Sequence, residues 1–238
     1  MHRHFSNSHT SVTRIISAAI TLVVASGFAA DWPGWLGQAR DGHAAPGSVV
    51  PKSLPLDPKR VWAFPIGEGH ATTHGRHVTT PIIDGNLVMV ASKENSLMGV
   101  ELTAEPGTAK WQAAIKWQTK DHFVNFSSPV AVGGYVYGLG PNRDLFCVET
   151  KTGKPMWSQE GFAVKSAEYA HLAIIVLGEN LLILTETGEV VLVAADSKEF
   201  KELGRAQVCR SNWCNPSYAH GKLFLRDDRE LICVDLLP

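Results

Sequence analysis

The sequence predicts an all-β chain built from about four repeated four-stranded units, and three observations carry that prediction. With 45% hydrophobic and 19% charged residues, the chain has the balance of an ordinary globular protein rather than a disordered one. Its 21 Gly and 13 Pro punctuate short apolar runs, and no stretch of about eleven residues keeps a helical period without a Gly or a turn signal, which excludes a helical architecture. One pattern then recurs four times: a Pro-led or apolar strand, a turn, an apolar run, a second turn and a second apolar run. A single unit of that kind cannot bury both of its faces, so the units must stack. Four-stranded sheets stacked at this spacing predict a β-propeller or a partial propeller.

Taken in order, the first unit reads Thr80-Pro-Ile-Ile-Asp-Gly-Asn-Leu-Val-Met-Val90, then Leu97-Met-Gly-Val-Glu-Leu102. The second reads Ser128-Pro-Val-Ala-Val-Gly-Gly-Tyr-Val-Tyr137, then Leu145-Phe-Cys-Val-Glu149. The third runs from Leu172 to Leu184 and again from Gly188 to Ala195, and the fourth from Asn215 to Leu225 and from Glu230 to Leu236. Corresponding residues Leu87, Val136, Leu182 and Leu223 are 49, 46 and 41 positions apart, a period that suits one four-stranded blade. Val, Ile, Leu and Tyr dominate each run, and Asp-Gly, Gly-Gly or another Gly-bearing turn precedes it. The repeats fall at about 78–117, 118–157, 158–203 and 204–238. Trp111 follows the Pro-Gly turn of the first unit and Trp157 the Thr-Gly turn of the second, and both are expected to pack between neighbouring sheets.

The ends of the chain carry two further expectations. Arg3 and Arg14 precede an apolar stretch from Ile15 to Val24, and Gly27-Phe28-Ala29 puts small residues at −3 and −1 of a cut after Ala29. Residues 1–29 are therefore expected to be a cleaved secretory signal, too short for a membrane span, and the mature protein to be periplasmic or extracellular. Residues 30–77 form an N-terminal segment. The fourth unit stops at Pro238, before its outermost strand, while Lys59-Arg-Val-Trp-Ala-Phe-Pro-Ile66 looks like such a strand without a sheet. Pairing of Arg60–Phe64 with the sheet containing Leu231–Leu236 would cover the open edge. An open arc, or two chains combining, are the alternatives.

Charge excludes some partners. With 22 Lys+Arg against 23 Asp+Glu there is no broad basic surface for nucleic acid. Export permits disulfides, and Cys209 and Cys214, five apart, form either a bridge or two buried thiols; Cys147 and Cys233, in matching repeat positions, read as core thiols. His70, His74 and His77 lie close together but in no pattern that would fix them on a metal, and His122 precedes a repeat. Tyr135, Tyr137, Asn142 and Arg143 form a candidate ligand patch, and Arg226-Asp-Asp-Arg229 reads as a solvated charged turn. No nucleophile elbow, phosphate loop or His-Glu-x-x-His motif occurs. No catalytic residue and no metal site is assigned.

Val148-Glu-Thr-Lys-Thr-Gly-Lys-Pro-Met-Trp157, with the Ser/Thr-Pro leads and Gly turns, resembles the PQQ-like (pyrroloquinoline-quinone-like) β-propeller repeat, akin to WD40-like blades. The segment Asp31-Trp-Pro-Gly-Trp-Leu-Gly-Gln-Ala-Arg-Asp-Gly42 is similar to the start of exported members. The resemblance implies either a non-enzymatic scaffold, which presents loops to a protein or carbohydrate partner, or a quinoprotein alcohol dehydrogenase that uses PQQ with Ca²⁺. The third unit lacks both the Thr-Gly turn and the Trp, and the chain has neither an adjacent Cys-Cys pair nor a recognisable Ca²⁺ ligand set with a neighbouring Asp base. An exported, non-catalytic scaffold is thus the leading expectation, with the dehydrogenase as the rival.

Overall fold

The structure is a computed structural model, and it describes residues 47–65, 79–91, 96–107, 111–122, 124, 126–164 and 170–237. The expected signal segment and His70, His74 and His77 lie outside the described residues. So does the side chain of Trp111.

Sixteen strands fill the described chain. The first, β1, is Arg60–Pro65. Blade I then comprises β2 (Ile82–Asp84), β3 (Leu87–Val90), β4 (Met98–Ala104) and β5 (Trp111–Gln118). Blade II comprises β6 (Val130–Val132), β7 (Tyr135–Leu139), β8 (Leu145–Glu149) and β9 (Pro155–Gln159). Blade III comprises β10 (Leu172–Leu177), β11 (Asn180–Thr185), β12 (Glu189–Ala194) and β13 (Glu202–Gln207). Blade IV takes β14 (Ser217–Ala219), β15 (Lys222–Arg226) and β16 (Glu230–Asp235) from the end of the chain and β1 from its beginning. Every pairing is antiparallel. The register of β1 against β16 runs from Arg60 opposite Val234 to Pro65 opposite Glu230. The backbone groups along β16 that the unfinished fourth repeat leaves open thus find partners in the N-terminal strand.

The four blades share one irregularity. A register shift separates the third and fourth strands of each: between Gly99 and Val100, between Cys147 and Val148, between Leu192 and Val193, and at Trp62 opposite Cys233. Such a bulge sharpens the local twist, which turns the outer strand of each blade across its neighbour. Three cores hold the blades in sequence. One joins blade I to blade II around Met89, Leu97, Val136 and Phe146; a second joins II to III around Tyr137, Leu145, Ile174 and Leu181; a third joins III to IV around Ile175, Leu182, Leu223 and Ile232. Among the described residues no core joins blade IV to blade I, so the blades form an arc. The innermost strands β2, β6 and β10 contact one another in turn along its inner rim.

Blade III differs in how it is filled. Gly204 stands at the register position that Trp117 holds in blade I and Trp157 in blade II. A Cβ at 204 would lie only 2.9 Å from the backbone nitrogen of Leu54. Leu54, from the segment before β1, is buried in the third core and occupies the slot that a Trp fills elsewhere.

Candidate functional site

The connections between blades converge at one end of the arc and lace its loops together. From the first, His122 O accepts from Leu97 N of the β3–β4 loop at 2.8 Å and Thr119 N donates to Leu97 O at 2.9 Å. From the second, Ala163 N donates to Arg143 O at 3.1 Å and Val164 N to the Glu186 carboxylate at 2.9 Å. From the third, Asn212 N donates to Glu186 O at 3.0 Å, Asn212 Nδ2 to Thr185 O at 2.8 Å, and Arg210 N to the Asp227 carboxylate at 3.3 Å. Arg143 sits in the left-handed region, at φ 64°, which is unusual for a non-glycine residue and holds its carbonyl toward Ala163.

An aromatic group stands at the centre of this loop face. Trp213, 40% exposed, stacks on His171 with ring centroids 5.7 Å apart and planes at 17°, and Phe126 leans against it at 5.0 Å and 50°. The three rings come from three different inter-blade connections or their ends, so the indole is fixed by the assembly of blades II to IV. Ser127 Oγ accepts from Leu172 N at 2.7 Å and ties the Phe126 loop to the start of β10. Arg210, in the same connection, holds its guanidinium 3.7 Å from Asp227 and 3.8 Å from Glu230.

The titratable groups beneath are held in single states. Burial lowers the pKa of His171 to about 4, and its Nδ1 meets no hydrogen-bond partner among the described residues. Burial likewise lowers His122, against the opposing pull of Asp144 and Asp121; its ring lies edge-on to Phe146 at 4.8 Å. Both imidazoles are therefore neutral at pH 7. Burial pushes Asp227 upward, but the backbone N–H groups of Arg229, Glu230 and Arg210, together with the Arg210 charge, outweigh it and hold the carboxyl below its usual range.

The sequence-derived candidates scatter on this frame. Asn142 and Arg143 lie in the loop face, whereas Tyr137 is fully buried in the core between blades II and III and Tyr135 sits half-buried at the far end of β7, so the four form no patch. Asp227 corrects the reading of Arg226–Arg229 as a solvated turn: its side chain is 1% exposed and caps the turn from inside. Cys209 and Cys214 are not bridged; all four cysteines are free thiols, and both of these sulfurs lie 3.7 Å from the Asn212 side chain. Trp157 lies between blades II and III, its Nε1 donating to Asp196 O at 2.8 Å. The matching residue of blade I is Trp117, not Trp111. Trp117 Nε1 donates to Thr150 O of blade II at 2.7 Å, and Trp117 pairs with Gly99 as Trp157 pairs with Cys147. Trp111 sits at the far end of a longer hairpin, opposite Ala104. Trp213, Phe126 and His171 carried no motif; the one available signal was that each stands in the stretch that leads into an innermost strand.

Pyrroloquinoline quinone with Ca²⁺ would need oxygen ligands free to converge on this face. The Asp144 carboxylate accepts from Ser158 Oγ and from Asn142 N, Glu186 from Val164 N, and Asp227 from three backbone amides. No group of three or more His, Cys, Asp or Glu side chains converges as a metal site among the described residues. Among the described residues these carboxylates are engaged within the chain, and no reaction step is derived through the cofactor.

Stacked four-stranded antiparallel blades, each with its outer-strand bulge, define a β-propeller architecture of PQQ-like repeats. Residues 57–236 match the family described as outer membrane protein assembly factor BamB, and the chain belongs to that family. Among solved structures, BamB from Moraxella catarrhalis is similar with a TM-score of 0.50 and 15% identity, over 71% of this chain and 47% of that one. A europium-containing methanol dehydrogenase aligns with a TM-score of 0.42 and 17% identity, over 75% of this chain and 32% of that one. The WD40 domain of Toxoplasma gondii coronin aligns at 0.38 and 14%, over 64% and 43%. The chain thus spans about half the length of the BamB structure it matches. No curated protein matches the chain. No helix among the described residues is long and apolar enough to cross a membrane.

Proposed function

We propose that this protein is an exported, non-catalytic scaffold that presents the loop face around Trp213 to a protein partner in the cell envelope. The observation that carries the reading is the exposed indole of Trp213, braced by His171 and Phe126. A large, rigidly held and partly exposed aromatic is the usual chemistry of an interface anchor. Its supports come from different blades, so it is preorganised and loses little conformational freedom on binding. The family's description as an assembly factor supports a protein rather than a carbohydrate partner. Among the described residues of this face the imidazoles of His171 and His122 are buried and neutral, and the Glu186 carboxylate accepts from Val164 N. Export rests on the N-terminal apolar segment.

Calorimetric titration with pyrroloquinoline quinone in the presence of Ca²⁺ tests the reading against its dehydrogenase rival. The expected result is no saturable heat. Submicromolar binding together with dye reduction in the presence of an alcohol would overturn it.

A further inference from the structure

Two thiols flank the anchor of the loop face. Cys209 and Cys214 both lie in the connection from β13 to β14, with Trp213 between them in sequence, whereas Cys147 and Cys233 are buried within β8 and β16. The Asn212 side chain touches both sulfurs of the connection: its Nδ2 lies 3.7 Å from Cys209 Sγ and its Oδ1 3.7 Å from Cys214 Sγ. The same amide pins the connection to blade III, because Nδ2 also donates to Thr185 O at 2.8 Å.

The two cysteines differ in how firmly they are held. At 209 the backbone is clamped: Val208 N and Cys209 N both donate to Gly188 O, at 2.9 and 3.2 Å, and a Cβ on Gly188 would lie 2.2 Å from Cys209 O. Cys214 is half-buried, and its N donates to Asn212 Oδ1 at 3.4 Å, a long contact inside the same loop. A disulfide brings two sulfurs to about 2 Å of each other. With Cys209 clamped, the approach comes from the Cys214 end, and the amide that touches both sulfurs has to give way.

We propose that Cys209 and Cys214 are a reversible disulfide-forming site that sets the position of Trp213. In the reduced protein the Asn212 pin holds the indole on His171 and Phe126. In the oxidised protein the ring closed by residues 209–214 gives up the bond to Thr185 O, and Trp213, next to Asn212, leaves the stack. The oxidant is a small-molecule disulfide such as oxidised glutathione. The Cys214 thiolate, on the more accessible side, attacks one of its sulfurs and releases one glutathione thiolate; the Cys209 thiolate then attacks the Cys214 sulfur and releases the second. Each cysteine yields its proton to solvent, the pair loses two electrons, and the glutathione disulfide is reduced to two thiols.

The proposal rests on the reading of Trp213 as the anchor of the loop face, and its test needs no partner. The full chain is labelled with fluorotryptophan, the Trp213 resonance is assigned with Trp213→Phe, and the protein is equilibrated with mixtures of reduced and oxidised glutathione. The expected oxidised product is lighter by two hydrogen atoms, its tryptic peptides 206–210 and 211–222 are disulfide-linked, and the Trp213 fluorine resonance shifts and returns on reduction. Cys209→Ser and Cys214→Ser, each with an unchanged reduced spectrum, are expected to abolish the shift. Asn212→Ala removes the pin and is expected to speed bridge formation several-fold. No linked peptide in excess oxidised glutathione, a mixed disulfide that stays on Cys214, or a bridge that leaves the Trp213 resonance in place would each overturn the proposal. Failure of the partner-binding reading has a separate signature, the absence of crosslinks from position 213 in the reduced protein, and moves none of these signals.

Discussion

Trp117→Ala is expected to destabilise the protein more than any other single aromatic truncation in blade I, and the structure gives the size. The indole is 8% exposed, between its own blade and blade II. Two glycines make room for it: a Cβ on Gly99 would come within 2.4 Å of the ring and one on Gly153 within 2.5 Å. Gly153 also has φ +70°, so a side chain there meets both the ring and a strained backbone. Truncation removes a buried aromatic, a change worth about 3–5 kcal/mol. It also leaves the Thr150 carbonyl without its 2.7 Å donor, at a further cost of about 1 kcal/mol or more. Urea unfolding followed by far-ultraviolet circular dichroism measures the sum. The ring contact has its own check in a double-mutant cycle with Gly99→Ala. In the wild type the added methyl strikes the ring; in Trp117→Ala it enters the space the ring vacated, so a coupling of about 1–3 kcal/mol is expected. A loss below about 1 kcal/mol for Trp117→Ala, the range of a surface change, or additivity in the cycle, would refute the inter-blade placement of this residue.

Three further expectations follow from the loop face. His171 binds its proton less readily folded, at about 4, than unfolded, at about 6.5, so the unfolded state holds more protons between these values and stability falls as the pH drops through that window; a loss of about 2 kcal/mol between pH 7 and pH 5 is expected, and His171→Phe should flatten that slope in pH-dependent urea titrations. Asp227→Ala removes the acceptor of three backbone amides and is expected to cost about 1–3 kcal/mol, read as a lower unfolding midpoint; an unchanged midpoint would place Asp227 in solvent. Thiol titration without reductant should count four sulfhydryls in denaturant and almost none reacting quickly in the native protein, where burial pushes Cys147 up to about 12 and raises Cys214 and Cys233; a count of two would show a bridge between Cys209 and Cys214.

Local chemistry was legible wherever one strand or one turn decided it. Alternating apolar runs and Gly turns identify β6, β7 and β8 almost residue by residue, since Gly133-Gly134 takes the positive φ that a tight hairpin demands. The Trp-bearing segment 59–66 and the unfinished edge after Val234 also point to each other, because both ends of that pairing are visible as gaps in the repeat. Trp111, whose side chain lies outside the described residues, differs from Trp157 in register. It stands four residues after Gly107, as Trp157 stands four after Gly153, but the hairpin of blade I carries four more pairs beyond its bulge, and these move the inter-blade position to Trp117. Hairpin length is set by pairing across strands, which a local motif does not contain. Leu54 in the empty Trp slot of blade III, and the grouping of Phe126, His171 and Trp213, depend on contacts between segments tens of residues apart. No spacing in the sequence encodes such contacts. The loop face is therefore visible only once the blades are stacked.

The claim that this loop face is where a partner binds has one direct measurement: site-specific photo-crosslinking in cells that express the protein. A photoreactive residue at Trp213 or Arg210, on the loop face, is compared with one at Glu179, in the β10–β11 turn at the opposite end of blade III. The account predicts the same discrete crosslinked protein from positions 213 and 210, and none from 179. Equal crosslinking from all three positions, or a discrete partner captured at 179 alone, would contradict it.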